Sequence, residues 1–306
     1  MSGTLVGSDI DFVRMNIVNS IAPATMSAYS SAWRLWLSHL VSVGENQFAF
    51  SEKLVLSFLN NLLASNLSWS QVNKILAGIS FFGKLNNLPS CSSFLSVHQA
   101  LKGYKRGTQN RDNRMAITPL ILTKLCSAVG SICFSRYEAS LFRALFSLLF
   151  FGAFRISELV APNKKSESNF KFEHMIWDIS RFSIFVPKSK TDQAAKGTWL
   201  TLHAFPDSPI CPVRLVGQFL QVRGAGGGSF FIHDNGIPLS VYQFNTVFRK
   251  CLTTLNLGGL PLSSHSFRIG AATEAARLGL DVVSIKRIGR WQSDAYKLYI
   301  RPHCLF

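Results

Sequence analysis

The segment SHSFRIGAATEAARLG, residues 264–279, says most about how this chain folds. His265 and Arg268 are three residues apart, so a helix would place both side chains on one face near its start. Ser263 or Ser264 can cap that helix, because a serine hydroxyl accepts hydrogen bonds from first-turn amides. Helix N-termini attract anions. The segment therefore predicts a closely packed helix whose beginning faces an anionic ligand.

Two segments on the N-terminal side of this helix carry further cationic residues. In AFRISEL, residues 153–159, Arg155 directly follows an apolar helix, and Glu158 is close enough to hold it. In PKSKTDQ, residues 187–193, Lys190 lies between two predicted strands. An arginine at a helix border is usually an ordinary ion-paired or snorkelling residue. A lysine in a hairpin is usually solvated, but one aimed at a phosphate could donate a proton.

The C-terminal segment GRWQSDAYKLYIRP, residues 289–302, combines one tryptophan with two tyrosines. Trp291 precedes a predicted short helix on which Tyr296 and Tyr299 are three residues apart. Tyrosines on a helix usually serve packing. Each segment alone is therefore a weak signal, and only the order of the segments along the chain is specific.

Taken together, the segments resemble the tyrosine recombinase family, the phage-integrase-like proteins. That family uses an arginine, a lysine, a His-x-x-Arg pair, a histidine or tryptophan, and then a tyrosine. The resemblance implies that the catalytic site consists of Arg155, Lys190, His265, Arg268, Trp291 and Tyr299, with Glu158 supporting Arg155. Three sequence motifs are most similar to those of the recombinases of eukaryotic mobile elements, the DIRS, Ngaro and Crypton groups. They are SKTDQ, HSFRIGAAT and GRW-x-SDA-x-x-x-Y.

The resemblance also implies the reaction, which is phosphoryl transfer at a DNA phosphodiester. Arg155 and Arg268 would neutralise the non-bridging oxygens, because a guanidinium offers phosphate a planar pair of donors. Tyr299 would attack and form a covalent 3′-phosphotyrosine, with His265 donating to the phosphate or accepting the tyrosine proton. Lys190 would protonate the 5′ oxygen that leaves. Rejoining would need no ATP, and neither a metal nor another cofactor is implied.

Two departures from the family pattern leave alternatives open. Trp291 and Tyr299 are eight residues apart, a slightly shorter separation than in many members, so Tyr296 stays the alternative nucleophile. Only seven residues follow Tyr299, whereas relatives often end in a helix that docks on a neighbouring subunit. Either another surface would make that contact, or the chain is a piece of a longer one.

The composition excludes several classes of protein. The chain has 306 residues, of which 47 % are apolar and 16 % charged, which excludes intrinsic disorder and collagen-like or coiled-coil sequences. The longest uncharged apolar stretch, ALFSLLFFGAF at 144–154, is far short of the roughly 20 residues that span a membrane. The six cysteines show neither a C-x-x-C pair nor zinc spacing, which favours buried thiols in a reducing compartment.

The net charge of +16 favours a polyanionic partner. The excess is uneven, since residues 1–104 carry +2 and residues 105–306 carry +14. Double-stranded DNA is the expected partner, because no basic amphipathic segment for a membrane surface stands out. The family resemblance adds self-association into a synaptic tetramer on DNA. It also implies a nuclear location if the host is eukaryotic, and otherwise the cytoplasm, with DNA.

Hydrophobic periodicity predicts a mainly α chain of two domains. The family resemblance implies that the two domains together form a DNA clamp. Residues 1–104 predict four or five short helices, one opening with a capping box from Ser68 to Gln71, and resemble the family's core-binding domain. Residues 105–116 are polar and basic and predict a linker. Its candidate DNA-binding residues are Lys105, Arg106, Arg111 and Arg114. Residues 117–306 combine helices with a small antiparallel sheet of two or three strands, and resemble the catalytic domain.

Three other functions remain open on the sequence alone. A type IB topoisomerase-like enzyme shares the covalent tyrosine chemistry but relaxes supercoils as a monomer. A domesticated, non-catalytic DNA-binding protein would usually lose catalytic residues, whereas all six positions are filled here. A purely structural basic protein would explain the charge but not the ordered set of motifs.

Overall fold

The computed structural model describes residues 7–108, 112–187, 197–205 and 207–302. These residues are mainly helical and include a small antiparallel sheet, as the sequence predicts. The chain divides into two compact units, Met1–Asp112 and Asn113–Phe306.

The described part of the first unit is helical throughout its regular structure. Its elements are α1 (Gly7–Asn19), α2 (Pro23–Ser42), α3 (Glu52–Ala64), α4 (Trp69–Leu85), a 3-10 turn (Cys91–Ser93) and α5 (Leu95–Gly107). At the start of α4 the Ser68 hydroxyl accepts a hydrogen bond from the Gln71 amide at 3.3 Å, and the Gln71 side chain accepts one from the Ser68 amide at 2.9 Å. The predicted capping box is confirmed.

An apolar cluster holds α2 to α5 together. Trp36 and Leu40 on α2 are four residues apart and therefore share one face, where both are fully buried. Leu59 from α3 and Ile79 from α4 belong to the same cluster. The first unit thus has a hydrophobic core of its own.

The second unit is built around α7, a helix buried on most sides. The helices of this unit are α6 (Pro119–Ile132), α7 (Arg136–Phe151), α8 (Ile156–Leu159), α9 (Pro212–Arg223), α10 (Val241–Thr254), α11 (Ser264–Arg277) and α12 (Val282–Gly289), with 3-10 turns at Phe172–His174 and Asp294–Tyr299. The residues of α7 from Ala144 to Phe150 are all buried, in agreement with the core helix predicted there. Side chains of α6, α9, α10 and α11 join the same apolar cluster.

A three-stranded antiparallel sheet lies in the same unit. Its strands are β1 (Met175–Trp177), β2 (Arg181–Val186) and β3 (Thr198–His203), in the order β1-β2-β3. The central residue Ile184 of β2 is opposite Met175 on one side and Leu200 on the other. Phe182, Ile184 and Val186 are buried, which is the alternation expected of a strand with one face on the core.

The predicted linker 105–116 begins as a helix and ends against the second unit. Helix α5 continues to Gly107. At the other end the Met115 amide donates to the Pro261 carbonyl at 3.2 Å, and Ala116 is buried. The described parts of the predicted linker, residues 105–108 and 112–116, therefore include helical residues at one end and packed residues at the other.

Within the described residues, no helix combines the length and the apolar character that crossing a bilayer requires. The cysteines there are free thiols: Cys91, Cys126, Cys133, Cys211 and Cys251. Burial raises the pKa of Cys126 and Cys251 to about 12, so both are protonated at neutral pH.

Candidate active site

The turn between α7 and α8 positions Arg155. Ala153 adopts a left-handed backbone conformation with φ of 43°. A Cβ atom at Gly152 would overlap the buried Phe154 ring, so a larger residue there would displace that ring. The Arg155 amide donates to Glu158 Oε2 at 3.0 Å, which fixes the backbone of the arginine just before α8.

The carboxylate of Glu158 binds two arginines that are far apart in the sequence. Arg155 Nη1 donates to Oε1 at 3.0 Å, and Arg290 Nη2 donates to Oε2 at 2.8 Å. Glu158 is only 7 % exposed. A buried carboxylate is tolerated when its oxygens are paired and hydrogen-bonded, as they are here. Glu158 therefore fixes the guanidinium groups of both arginines.

Arg268, in the second turn of α11, joins two other parts of the site. It is 1 % exposed, and its terminal nitrogens donate to the carbonyls of Ala153 and Gly289. Helix α11 approaches the start of the unit closely at Gly270, where a Cβ atom would lie 2.0 Å from the Ile117 carbonyl oxygen. Arg268 thus connects the α7–α8 turn to the end of α12.

Two aromatic rings lie against the Arg268 guanidinium. Its central carbon is 4.4 Å from the ring centre of Trp291 and 5.3 Å from that of Tyr299. The two ring centres are 5.1 Å apart. Tyr299 is the last residue of the 3-10 helix, which the Ser293 hydroxyl caps. The rings of Trp291 and Tyr299 therefore both lie against the same cation, the guanidinium of Arg268.

The two candidate nucleophiles have different surroundings. Tyr296 is 5 % exposed and packs in an apolar cluster, with its ring centre 5.6 Å from Lys286 Nζ. Tyr299 is half-buried and lies beside Arg268. Tyr299 is thus the tyrosine that the fold brings to the predicted catalytic arginine.

The backbone of Tyr299 is attached to the helix that carries Arg268. Thr273 Oγ1 on α11 donates to the Tyr299 carbonyl at 3.3 Å and accepts from the Arg301 amide at 3.1 Å. The Arg301 guanidinium donates to the carbonyls of Arg114 at 2.9 Å and Leu298 at 2.8 Å. These bonds fix the chain on both sides of the tyrosine.

Positive charge predominates among these groups. Burial lowers the pKa of Arg268 to about 10, and the charges of Arg155 and Arg290 act in the same direction, while Glu158 and Tyr299 oppose them. Burial also lowers the pKa of Arg290, against the effect of Glu158. Both shifts disfavour the charged forms of these arginines. A bound anion such as a phosphodiester would compensate their charge.

Known proteins share this architecture, although no family model matches the sequence. The integrase/recombinase xerD homolog of Selenomonas ruminantium is 23 % identical over 294 residues, which cover 92 % of this chain and 82 % of that protein. A lambda integrase dimer bound to a COC′ core site matches with a TM-score of 0.65 at 14 % identity, over 97 % of this chain and 96 % of its own. This chain has the fold of the tyrosine recombinases.

A second solved structure has a similar fold. The Tn1549 transposon integrase in complex with circular intermediate DNA matches with a TM-score of 0.55 at 12 % identity, over 88 % of this chain and 94 % of its own. The predicted resemblance to the tyrosine recombinase family is confirmed. The narrower resemblance to recombinases of eukaryotic mobile elements stays a prediction.

The recombinase fold brings most of the predicted site residues together. They are Arg155, Glu158, Arg268, Trp291 and Tyr299. His265 lies in the first turn of α11, one turn before Arg268, and is half-buried. Lys190 lies outside the described residues. The catalytic roles of all these residues stay predictions.

The predicted DNA-binding residues are distributed over both units. Lys105 and Arg106 are exposed on α5, with Lys105 Nζ 4.5 Å from the ring centre of Trp69. Arg114 belongs to the second unit, and Arg111 lies outside the described residues. Contact of these residues with DNA stays a prediction.

The sequence did not identify Arg290 as a residue of the candidate site. Besides its bond to Glu158, Arg290 Nη1 donates to the Gly152 carbonyl at 3.1 Å, and its guanidinium lies 4.5 Å from the ring centre of Phe154. A basic residue at a helix end usually interacts with the last carbonyls or with solvent. In the sequence, the position of Arg290 next to the predicted site residue Trp291 was the only indication that it belongs to this site.

Proposed function

We propose that this chain cleaves and rejoins DNA as a site-specific recombinase or integrase, through a covalent 3′-phosphotyrosine. The position of Tyr299 supports this most directly, because its ring lies beside the buried guanidinium of Arg268 in a group that also includes Arg155. A phosphate in this group would meet two arginines and the nucleophile together. The DNA backbone is the anion that suits a net charge of +16.

Hydrogen-bond donors in the site support a phosphate ligand. Trp291 Nε1 and Arg268 Nε are buried and have no hydrogen-bond partner among the described residues. Buried donors in proteins are normally paired. Phosphate oxygens are strong acceptors, so a DNA phosphate is the kind of ligand that would satisfy such donors.

In the proposed cleavage step, the Tyr299 oxygen bonds to phosphorus while the bond from phosphorus to the 5′ oxygen breaks. Arg155 and Arg268 stabilise the charge on the non-bridging oxygens. His265 takes the phenol proton, and Lys190 gives a proton to the leaving 5′ oxygen. The role of Lys190 as proton donor rests on the family resemblance. Rejoining reverses the step with the 5′ hydroxyl of another strand.

The solved relatives suggest the biological setting. One is a lambda integrase dimer on its core site, and another is a transposon integrase on circular intermediate DNA. By analogy, this chain integrates or excises a mobile element and self-associates, as a tetramer, on double-stranded DNA. The first unit and the stretch 105–116 would hold the DNA as a core-binding domain and linker. In a eukaryotic host the protein would act in the nucleus.

A strand-transfer assay tests this function. The full chain is incubated with nicked duplexes of random sequence, a labelled second duplex and a supercoiled plasmid. Joined duplexes with the wild type, and none with Tyr299→Phe, are expected. Plasmid relaxation without joining would indicate a topoisomerase-like enzyme, and binding without cleavage would indicate a non-catalytic DNA-binding protein. Either result would contradict the proposal.

A separate substrate tests Lys190. A sulfur in place of the 5′ oxygen is a better leaving group that needs no acid. Lys190→Ala is therefore expected to cleave the normal DNA slowly and the sulfur-containing DNA at the wild-type rate. A variant that stays equally slow on both substrates would refute the role as proton donor.

A further inference from the structure

Helix α12 ends in a turn that places an arginine where glycine is normally found. Arg290 adopts φ of 55° and ψ of 40°, in the left-handed region. Its amide donates to the Arg287 carbonyl at 3.2 Å, and the Trp291 amide donates to the Lys286 carbonyl at 2.9 Å. This pair of bonds defines a Schellman motif, in which the left-handed position favours glycine. An arginine there is strained and needs compensating contacts.

The compensating contacts lie in the predicted site. Arg290 spans from the end of α12 to the α7–α8 turn, where it binds Glu158 and the Gly152 carbonyl and lies over Phe154. Its side chain is 10 % exposed. Strained residues that persist in this way often belong to functional sites.

We propose that Arg290 is a positioning residue of the active site. Through Glu158 it fixes the guanidinium of Arg155, since one carboxylate binds both arginines. Through its turn it sets the direction of Trp291, whose ring lies against Arg268. One side chain thus aligns two of the groups that would surround the phosphate. This inference rests on the proposed DNA-cleavage function.

The turn geometry makes the proposal testable without a loss of folding. Glycine and asparagine both accept the left-handed conformation better than arginine does. Arg290→Gly and Arg290→Asn therefore relieve the backbone strain while removing the link to Glu158. The matched control is Arg287→Ala, since Arg287 is an exposed residue of the same helix.

The experiment measures three quantities on the full chain: thermal unfolding, affinity for the nicked duplexes, and the rate of covalent adduct formation at saturating DNA. Both Arg290 variants should fold and bind DNA within about threefold of the wild type, yet form adduct about 10²-fold more slowly, as expected for a displaced catalytic group. Guanidinium ion at tens of millimolar should restore part of the rate to Arg290→Gly, and sodium ion at equal concentration should not. Arg287→Ala should match the wild type.

Three results would overturn the inference. They are wild-type adduct rates in both Arg290 variants, a slow rate that guanidinium does not raise, and unfolding of both variants at a temperature where the wild type is folded. The last would assign Arg290 to the stability of the fold alone. If the wild type itself forms no adduct, the proposed function fails instead, which the same assay shows.

Discussion

The guanidinium of Arg268 lies over the ring of Tyr299, with its central carbon 5.3 Å from the ring centre. The arginine is almost completely buried, whereas the tyrosine is half-buried. The contact therefore joins a cation held inside the unit to a tyrosine that is only partly buried.

Replacement of Arg268 by lysine should slow DNA cleavage about 10²- to 10³-fold, because lysine keeps the charge but lacks the planar pair of donors. The rate of adduct formation at saturating DNA measures the effect. Arg277→Lys is the matched control, since Arg277 lies on the same helix and forms an exposed pair with Glu274 at 2.7 Å. Equal rates for the two variants would contradict a direct role of Arg268.

Replacement of Thr273 by valine should destabilise the protein by about 1 kcal/mol and slow cleavage about tenfold. Valine removes the hydroxyl that bonds the Tyr299 carbonyl and the Arg301 amide. Thr273→Ser keeps the hydroxyl and should stay close to the wild type in both respects. Urea unfolding and adduct formation measure the two effects. A valine variant with the wild-type cleavage rate would show that these bonds do not position the tyrosine.

DNA affinity should fall steeply with salt, because binding by a chain of net charge +16 releases counterions from the phosphates. Between 50 and 200 mM salt we expect a loss of about 10³-fold or more. Arg106→Ala should reduce the slope of log affinity against log salt by about one if Arg106 binds a phosphate. Fluorescence anisotropy with a labelled duplex measures both. An affinity that changes less than tenfold would argue against binding through the DNA backbone.

Stability should depend on pH through His233. A hydrogen bond to Glu138 at 2.9 Å raises the pKa of His233 above its ordinary value of 6.5. The folded state therefore binds this proton more tightly than the unfolded state. The resulting stabilisation is complete below pH 6.5 and is lost as the pH rises through the raised value.

The variant His233→Asn isolates this contribution. The difference in unfolding free energy between the wild type and the variant should shrink as the pH is raised from 5.5 to 9. Urea unfolding of the full chain at several pH values provides the measurement. A difference that stays constant over this range would show that the pair with Glu138 is not a source of pH dependence.

Much of the fold could be predicted because its signals are local. Each of these signals lies within a few neighbouring residues: the Ser68–Gln71 capping box, the apolar face of α2, and the alternation of buried and less buried residues along β2. The course of α5 beyond residue 104 was not predicted, because polar, basic residues can extend a helix as readily as they form a linker.

The site was predictable only in part. Arg155, Arg268 and Tyr299 are far apart in the sequence, and no periodic pattern indicates that they form one site. The family resemblance alone predicted that they lie together. Arg290 was missed for a physical reason. Its left-handed conformation is unusual for arginine, and its partner Glu158 lies in a distant turn, so its position next to Trp291 is all that marks it in the sequence.

Tyr299 is tested most directly as the nucleophile by identifying the residue that becomes linked to DNA. The covalent adduct formed with nicked duplexes would be digested and the peptide carrying the phosphate sequenced by mass spectrometry. We predict phosphotyrosine at Tyr299, loss of the adduct in Tyr299→Phe, and an unchanged adduct in Tyr296→Phe. A phosphate on Tyr296, or an adduct that survives Tyr299→Phe, would rule out Tyr299 as the nucleophile.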